Sequence, residues 1–182
     1  DIGNPNSLAL GPDGSVYVTT SSRLRRITPD GNIQTVAGSN LSAYGGDGGP
    51  ATEATLMFPS NLDVAADGTI YITSAVSDRV RRIGTDGIID TVAGNGISAD
   101  SVDGLPATES PLNNPRGVLA LPDGGLIIAV RRRLIYVGTD GLIETIAVNK
   151  PYQDSDGFTI NTLDEPWGLE LGPDGLYFAD NR

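Results

Sequence analysis

Asp-Gly pairs that recur at regular spacing constrain the fold of this chain more than any other feature. They occur at residues 13–14, 67–68, 123–124 and 174–175, each between short runs of β-branched and aromatic residues. Asp-Gly favours a tight hairpin turn, because glycine takes a positive φ without steric penalty and aspartate tolerates it. The spacing of the pairs gives an internal repeat of roughly 50 residues.

One complete unit lies at residues 58–94. Its four apolar runs are NLDVA, TIYIT, RVRRI and IIDTVAG, separated alternately by an Asp-Gly turn and a longer polar link. This pattern predicts a four-stranded antiparallel meander, and repeats of that kind are typical of β-propeller blades. We therefore expect an all-β chain, a β-propeller of four-stranded antiparallel blades.

The repeat predicts a single propeller segment over residues 1–182. Its blades are expected at 5–38, 59–94 and 115–148, with a half blade at 166–182. The N-terminal and C-terminal ends of the chain both supply the inner strands of a blade, so together they do not form one complete blade. We expect a partial arc of about three and a half blades, a fragment of a larger protein, with the remaining blades of the same propeller as one partner.

Several short motifs recur around the predicted strands. They include PRGV at 115–118, RVRRI at 79–83, DGIIDTVAG at 86–94 and the linker GDGGPATEATL at 46–56. Together they resemble the NHL-repeat propellers, in particular the bacterial and extracellular subgroup with Gly-Asp-Gly linkers. The resemblance covers nearly the whole chain and is specific for the fold, but propellers host many functions. We expect a ligand- or protein-binding module, part of an extracellular or sensor protein, with an extracellular or periplasmic location.

The charge of the chain argues against a nucleic-acid partner. The net charge is −11 and Lys150 is the only lysine, whereas nucleic-acid affinity depends on neutralising phosphates with Lys and Arg. We expect the recurring arginines to lie in the third strand of each blade and to form salt bridges at the rim. They are Arg23, Arg25, Arg26, Arg79, Arg81, Arg82, Arg131, Arg132 and Arg133. No apolar run approaches the roughly 18 residues of a membrane span, so membrane insertion is not expected.

The chain contains no histidine and no cysteine. It therefore lacks the usual neutral-pH general base, thiolate nucleophiles and zinc-thiolate ligands. Peptide-amidating lyases among NHL-like propellers use a histidine-ligated metal, which this stretch cannot supply. We assign no catalytic residues and expect no hydrolytic or lyase activity from this segment alone.

The longer loops of the repeat are expected on one face. In a four-stranded meander both Asp-Gly turns lie on one face, and the second-to-third loop and the interblade linker lie on the other, the long-loop face. Binding sites in rigid repeat scaffolds lie in variable loops. On this face the residue after each opening proline differs from repeat to repeat, and the third linker adds an aromatic residue. Together these residues predict a binding site for a protein, peptide or carbohydrate. The residues are Asn6, Ser60, Arg116, Trp167 and Tyr152. Packing between blades is an equally consistent interpretation of Trp167.

One inner-strand position carries acids in two of the four repeats. In the four repeats this position is Ala9, Asp63, Leu119 and Glu170. Burying an acid near the channel is unfavourable unless the acid is paired or metal-bound. Calcium-dependent lactonase-like propellers use Asp, Glu and Asn near their axis, so the resemblance makes Asp63, Glu170 and Asn61 candidate metal ligands. Solvated acids in a water-filled channel are the other interpretation. We expect no cofactor, with calcium as the alternative, and a metal-dependent hydrolase or lyase as the alternative function.

Two linkers share the sequence D-G-x-P-A-T-E-x-x-L, beginning at Asp47 and Asp103. Proline at a first helical position and an aspartate before it favour a helix start. We expect the segment after each proline to form one helical turn, with the aspartate capping it.

Overall fold

A computed structural model describes residues 4–148, 152–153, 159–160 and 163–180. Every regular element within these ranges is a β-strand, which confirms the all-β class. The described ranges contain no helix, and so none that is long and apolar enough to cross a membrane.

The strands form successive antiparallel sheets in chain order. Blade 1 contains β1 (Ser7–Leu10), β2 (Val16–Thr19), β3 (Leu24–Ile27) and β4 (Ile33–Ala37). The linker strand β5 (Gly49–Pro50) precedes blade 2, which contains β6 (Asn61–Val64), β7 (Ile70–Ser74), β8 (Arg79–Ile83) and β9 (Ile88–Ala93). Blade 3 contains β10 (Gly117–Ala120), β11 (Leu126–Val130), β12 (Arg133–Val137) and β13 (Ile143–Val148). A short hairpin of β14 (Tyr152–Gln153) and β15 (Thr159–Ile160) is followed by the half blade, β16 (Pro166–Gly172) and β17 (Gly175–Asp180).

The aspartate side chain closes each of the first Asp-Gly turns in blades 1 to 3. Asp67 Oδ1 accepts a 2.8 Å hydrogen bond from Thr69 N, and Gly68 has a φ of +91°. Asp13 and Asp123 accept the same hydrogen bond from the backbone amide two residues later, at 3.0 and 2.9 Å. Because the ionised carboxylate accepts these backbone bonds, they lower the pKa of Asp67 and of Asp13.

The inner strands pack side by side in chain order, β1 on β6, β6 on β10 and β10 on β16. Leu62 of β6 faces blade 1 and is 4% exposed. Leu8 holds the same register position in β1 but is 71% exposed. One face of blade 1 is therefore uncovered within the described chain, as an arc of blades requires.

Each of the first two linkers covers the outer strand of the blade that follows it. In blade 2, β5 pairs with β9 and places Gly49 opposite Ile89. In blade 3, Pro106 forms a single bridge to Leu142 beside β13. The linkers thus complete the outer edges of these two blades.

Both linkers form a hydrogen-bonded turn after the proline, as expected, but the expected aspartate cap is wrong. In the second linker Glu109 N and Ser110 N both donate to Pro106 O. Residues 50–54 form hydrogen-bonded turns, in which Glu53 N donates to Pro50 O. Asp47 does not cap them, because its carboxylate reaches across to blade 2 and contacts Arg81 and Thr91. Pairing with the edge of the next blade thus determines the linker conformation.

The arginine assignment needs two corrections. Arg23 lies just before β3, and Arg131 and Arg132 lie in the turn before β12, so only Arg133 of the third run belongs to a third strand. The loop before β12 is shorter than the one before β8, which shifts the run relative to blade 2. Arg81 does pair with an aspartate, but its side chain is only 5% exposed and it is not a solvated rim residue. Exposed pairs of the expected kind are Arg26 with Asp13, Arg82 with Asp90, Arg132 with Asp164 and Arg133 with Asp100.

Candidate ligand-binding face

The position after each opening proline connects consecutive blades. Asn6 Nδ2 donates a 3.1 Å hydrogen bond to Pro59 O, and Ser60 Oγ donates a 3.3 Å bond to Pro115 O. Both acceptors belong to the proline that opens the next blade. Asn6 and Ser60 therefore hold neighbouring blades in register on the long-loop face.

Arg116 makes the corresponding connection through charge. Its Nη1 lies 3.1 Å from Glu165 Oε2, beside the proline that opens the half blade. The two side chains are 40% and 31% exposed, so the pair contributes about 0–1 kcal/mol to stability. With its amide in the orientation that satisfies both groups, Asn114 Oδ1 accepts hydrogen bonds from Arg116 Nε (3.0 Å) and Nη2 (3.2 Å), so Asn114 and Glu165 together orient the guanidinium.

Three of the five predicted ligand residues come together in one hollow. Ser60, Ala75, Arg116 and Trp167 line a volume of about 250 Å³, which we call the Trp167 hollow. Trp167 is 53% exposed, so a large part of its ring faces solvent. Of the other two, Asn6 does not line the hollow, and Tyr152 belongs to β14 with a side chain outside the described part of the chain.

Asp63 and Asn61 of the inner strand of blade 2 have structural partners. Asp63 Oδ2 accepts a 2.7 Å hydrogen bond from Ala120 N, and its Oδ1 accepts a 2.9 Å bond from Val64 N. Asn61 Oδ1 lies 3.4 Å from Val118 N. These two side chains therefore connect β6 of blade 2 to β10 of blade 3 across the inner edge.

A larger cleft lies on the Asp-Gly side of the inner strands. It has a volume of about 520 Å³ and joins blades 2 and 3 to the half blade; we call it the channel cleft. Its polar lining includes Asp63, Glu170 and Tyr71, and burial raises the pKa of the Tyr71 hydroxyl. The sequence predicted Asp63 and Glu170 beside the channel but not Tyr71, although its position opposite Asp63 in the next strand was a usable signal; Asn61, predicted with them, does not line the cleft.

The channel cleft offers few free ligands for calcium. Calcium takes six to eight oxygen ligands, and both oxygens of Asp63 already accept backbone hydrogen bonds. No group of three or more His, Cys, Asp or Glu side chains able to hold a metal occurs among the residues the structure describes. The metal site at Asp63, Asn61 and Glu170 stays a prediction, and a calcium ion there would need further oxygen ligands.

A second polar cluster fixes the first linker to blade 2. Arg81 donates to Gly45 O, to Thr55 O and to the Asp47 carboxylate. Asp47 also accepts from Tyr44 Oη at 2.6 Å and from Thr91 Oγ1 at 2.7 Å. Burial alone would raise the pKa of Asp47, but these hydrogen bonds and the Arg81 charge lower it overall. Asp103 repeats part of the arrangement in blade 3 through a 2.7 Å bond from Thr145 Oγ1.

Comparison with solved structures identifies the fold. A protein of unknown function from Bacteroides thetaiotaomicron VPI-5482 aligns with a TM-score of 0.72 and 21% identity, over 98% of this chain and 47% of that one. The chain has a β-propeller fold. A putative gluconolactonase aligns at 0.63 and 16%, over 97% and 55% of the two chains. Virginiamycin B lyase from Staphylococcus aureus aligns at 0.56 and 17%, over 97% and 63%. At these identities the likeness concerns the fold alone.

Curated relatives are similar to the chain over a small part of their length. Teneurin-1 of Homo sapiens is 33% identical over 207 residues, which is 98% of this chain and 7% of that protein. Teneurin-m of Drosophila melanogaster is 29% identical over 144 residues, 69% of this chain and 5% of that protein. This chain thus spans less than a tenth of these relatives. No protein-family model matches it.

Proposed function

We propose that this chain is a binding module built from NHL-like β-propeller blades, which holds a protein or peptide ligand in the Trp167 hollow. The observation that carries the proposal is the exposed Trp167 ring beside Arg116 in a hollow lined by blade 2, blade 3 and the half blade. Trp and Arg are the side chains most enriched at interface hot spots. Blades tied by Asn6, Ser60 and Arg116 give that hollow a rigid base.

The chemistry of the hollow favours a peptide with both apolar and charged groups. The Trp167 ring supplies apolar area, and the Arg116–Glu165 pair supplies one positive and one negative group beside it. Charge placement of this kind fixes the orientation of a ligand more than its affinity. The resemblance to the extracellular subgroup of NHL propellers supports an extracellular or periplasmic location.

Catalysis in the channel cleft is the second candidate function. The observation that favours it is the cleft itself, with Asp63, Glu170 and Tyr71 in its lining, in a fold shared with a putative gluconolactonase and with virginiamycin B lyase. Against this function, both carboxylate oxygens of Asp63 accept hydrogen bonds from backbone amides. A solved variant of that lyase, in which a histidine is replaced by alanine, is described as catalytically inactive, and this chain has no histidine.

Peptide selection on the folded chain tests the binding proposal. A phage-displayed peptide library is enriched on the wild-type chain, and the selected peptides are then measured on Trp167→Ala and on Tyr177→Ala. Tyr177 is the matched control, because it is 54% exposed and belongs to the same two-stranded sheet. We expect Trp167→Ala to weaken binding by at least about 30-fold, the equivalent of a hot-spot loss of about 2 kcal/mol, and Tyr177→Ala to leave it unchanged.

Two results would overturn the proposal. One is a set of selected peptides that bind both variants equally well. The other is a glycan array on which the wild-type chain binds sugars through Trp167 while the library yields no peptide. Turnover of a lactone or ester that is lost in Asp63→Ala would favour the catalytic candidate instead.

A further inference from the structure

The two linkers bind the outer strands of their blades through the same backbone hydrogen bonds. In each case one glycine amide of the linker donates to an isoleucine carbonyl, and one alanine amide donates to the carbonyl of the second Asp-Gly turn. The bonds are Gly48 N to Ile89 O (2.9 Å), Gly104 N to Ile143 O (2.8 Å), Ala51 N to Gly87 O (2.9 Å) and Ala107 N to Gly141 O (2.8 Å). The linker is therefore a repeated peptide element with a fixed docking geometry.

Blade 1 presents the same edge without a linker on it. Ile33 of β4 is at the register position of Ile89 and Ile143, opposite the last residue of the third strand in each blade. Ile89 is 0% exposed and Ile143 is 1% exposed under their linkers, whereas Ile33 is 40% exposed. No strand pairs with the outer side of β4 within the described chain.

The side chains that hold the linker in blade 2 also recur in blade 1. Arg25 is at the position of Arg81, and Thr35 is at the position of Thr91, the two residues that bind the Asp47 carboxylate. Among the described residues the Arg25 side chain has no hydrogen bond or salt bridge, whereas Arg81 uses both of its terminal nitrogens to bind the linker; the Nε atom has no acceptor in either residue. Arg25 thus keeps a positive charge where blade 2 uses one to bind an aspartate.

We propose that the outer edge of blade 1 is an acceptor site for a peptide segment with the linker sequence G-D-G-x-P-A-T. The peptide aspartate pairs with Arg25 and Thr35, its glycine amide donates to Ile33 O, and its alanine covers the Ile33 side chain. Exposed apolar surface, an unpaired strand edge and a positive charge coincide at this edge. The segment would bury the apolar surface, pair with the strand edge and place a carboxylate beside the positive charge.

A second copy of this chain is not the expected source of the segment. Both of its linkers are bound to its own blades 2 and 3, through the hydrogen bonds that the acceptor site would use. The site therefore fits a linker segment that is not already bound to a blade of its own.

A labelled peptide tests the site directly. The probe is a fluorescent synthetic peptide of residues 43–57, AYGGDGGPATEATLM, titrated with the whole chain by fluorescence anisotropy. We expect saturable binding, weakened at least about tenfold by Arg25→Gln in the chain, because a hydrogen-bonded charge pair is lost. Arg26→Gln is the matched control: Arg26 is adjacent in β3 but pairs with Asp13 of its own blade.

A change in the peptide keeps the test independent of protein folding. The same peptide with asparagine in place of its aspartate should bind at least about tenfold more weakly to the unaltered chain. Hydrogen exchange at the Ile33 amide should slow when the original peptide is added. The proposal is overturned by the absence of saturable binding, by equal binding of the two peptides, by a loss in Arg26→Gln but not in Arg25→Gln, or by self-association of the chain that the peptide does not reduce.

Discussion

Asp63 in the inner strand of blade 2 accepts a 2.7 Å hydrogen bond from the backbone amide of Ala120 in blade 3. The same carboxylate accepts from Val64 N, so one side chain satisfies two backbone donors beside the channel. An acid at this position therefore has a structural function that does not depend on a metal. Glu170, its equivalent in the half blade, is exposed.

The first prediction separates these two acids. Asp63→Ala should lower the free energy of unfolding by about 1–3 kcal/mol, because it leaves the Ala120 amide without its acceptor. Glu170→Ala should change stability by less than about 0.5 kcal/mol, as expected of a surface substitution. Urea unfolding followed by circular dichroism measures both. A stabilisation of the wild type by millimolar calcium that Asp63→Ala abolishes would contradict this assignment and support the metal site.

The fold was predictable from sequence because its determinants are local. The Asp-Gly turns at residues 67–68 and their equivalents set the strand pairing, and the repeat then places equivalent positions side by side. For that reason Ser60, Arg116 and Trp167, chosen only by their position after a proline, meet in one hollow.

The contacts that were missed depend on the path of the chain between repeats. Asp47 is 34 residues from Arg81, and nothing local shows that the linker carries it to the next blade. Arg131 and Arg132 were placed wrongly for a similar reason, since a run of three arginines fits the strand in more than one register. The channel cleft is formed by three separate segments, and its shape appears only when they are assembled.

The second prediction compares two Asp-Arg pairs in blade 2. Asp47→Asn should lower stability by about 1–3 kcal/mol, less than a fully buried pair would cost because Asp47 is 31% exposed. Asp90→Asn makes the same chemical change in the exposed pair with Arg82, whose atoms lie 3.7 Å apart, and should cost about 0–1 kcal/mol. Chemical denaturation of the two variants provides the measurement. Equal losses would show that burial of Arg81 does not strengthen its pair.

The third prediction concerns the pH dependence of stability. The pKa of Asp47 in the folded state is below its ordinary value of 3.8, despite burial, because Tyr44, Thr91 and Arg81 donate to its ionised form. A depressed pKa gives stability that is present above pH about 4 and is lost as the pH falls through the folded-state value. The stability difference between wild type and Asp47→Asn should therefore be constant above pH about 5 and should shrink below pH about 4. A difference that grows on acidification would reverse the sign and contradict the assignment.

The fourth prediction uses the two equivalent isoleucines of the outer strands. Ile89→Ala should lower the free energy of unfolding by about 2–5 kcal/mol, because it opens a cavity beneath the first linker. Ile33→Ala, at the uncovered edge, should cost less than about 1 kcal/mol. If Ile33→Ala proves as damaging as Ile89→Ala in denaturant titrations, the edge of blade 1 is covered in solution.

The last prediction concerns two glycines with positive φ in blade 2 and the linker that follows it. Gly94 has φ +89°, and a Cβ on it would overlap the carbonyl oxygen of Asp78, a backbone atom that cannot rotate away. Gly87 has φ +78° with open space around its Cβ position, so only the left-handed conformation opposes a side chain there. Gly87→Ala should therefore cost about 1 kcal/mol and Gly94→Ala more than about 3 kcal/mol.

Thermal and urea unfolding of the two alanine variants test this difference. Gly94 N also donates a 2.8 Å hydrogen bond to Ala107 O of the second linker, so relief of the clash would displace that linker. Gly94→Ala should accordingly raise protease cleavage within residues 95–113, and Gly87→Ala should not. Similar stability and similar cleavage in both variants would mean that the backbone at Gly94 can move without disturbing the linker.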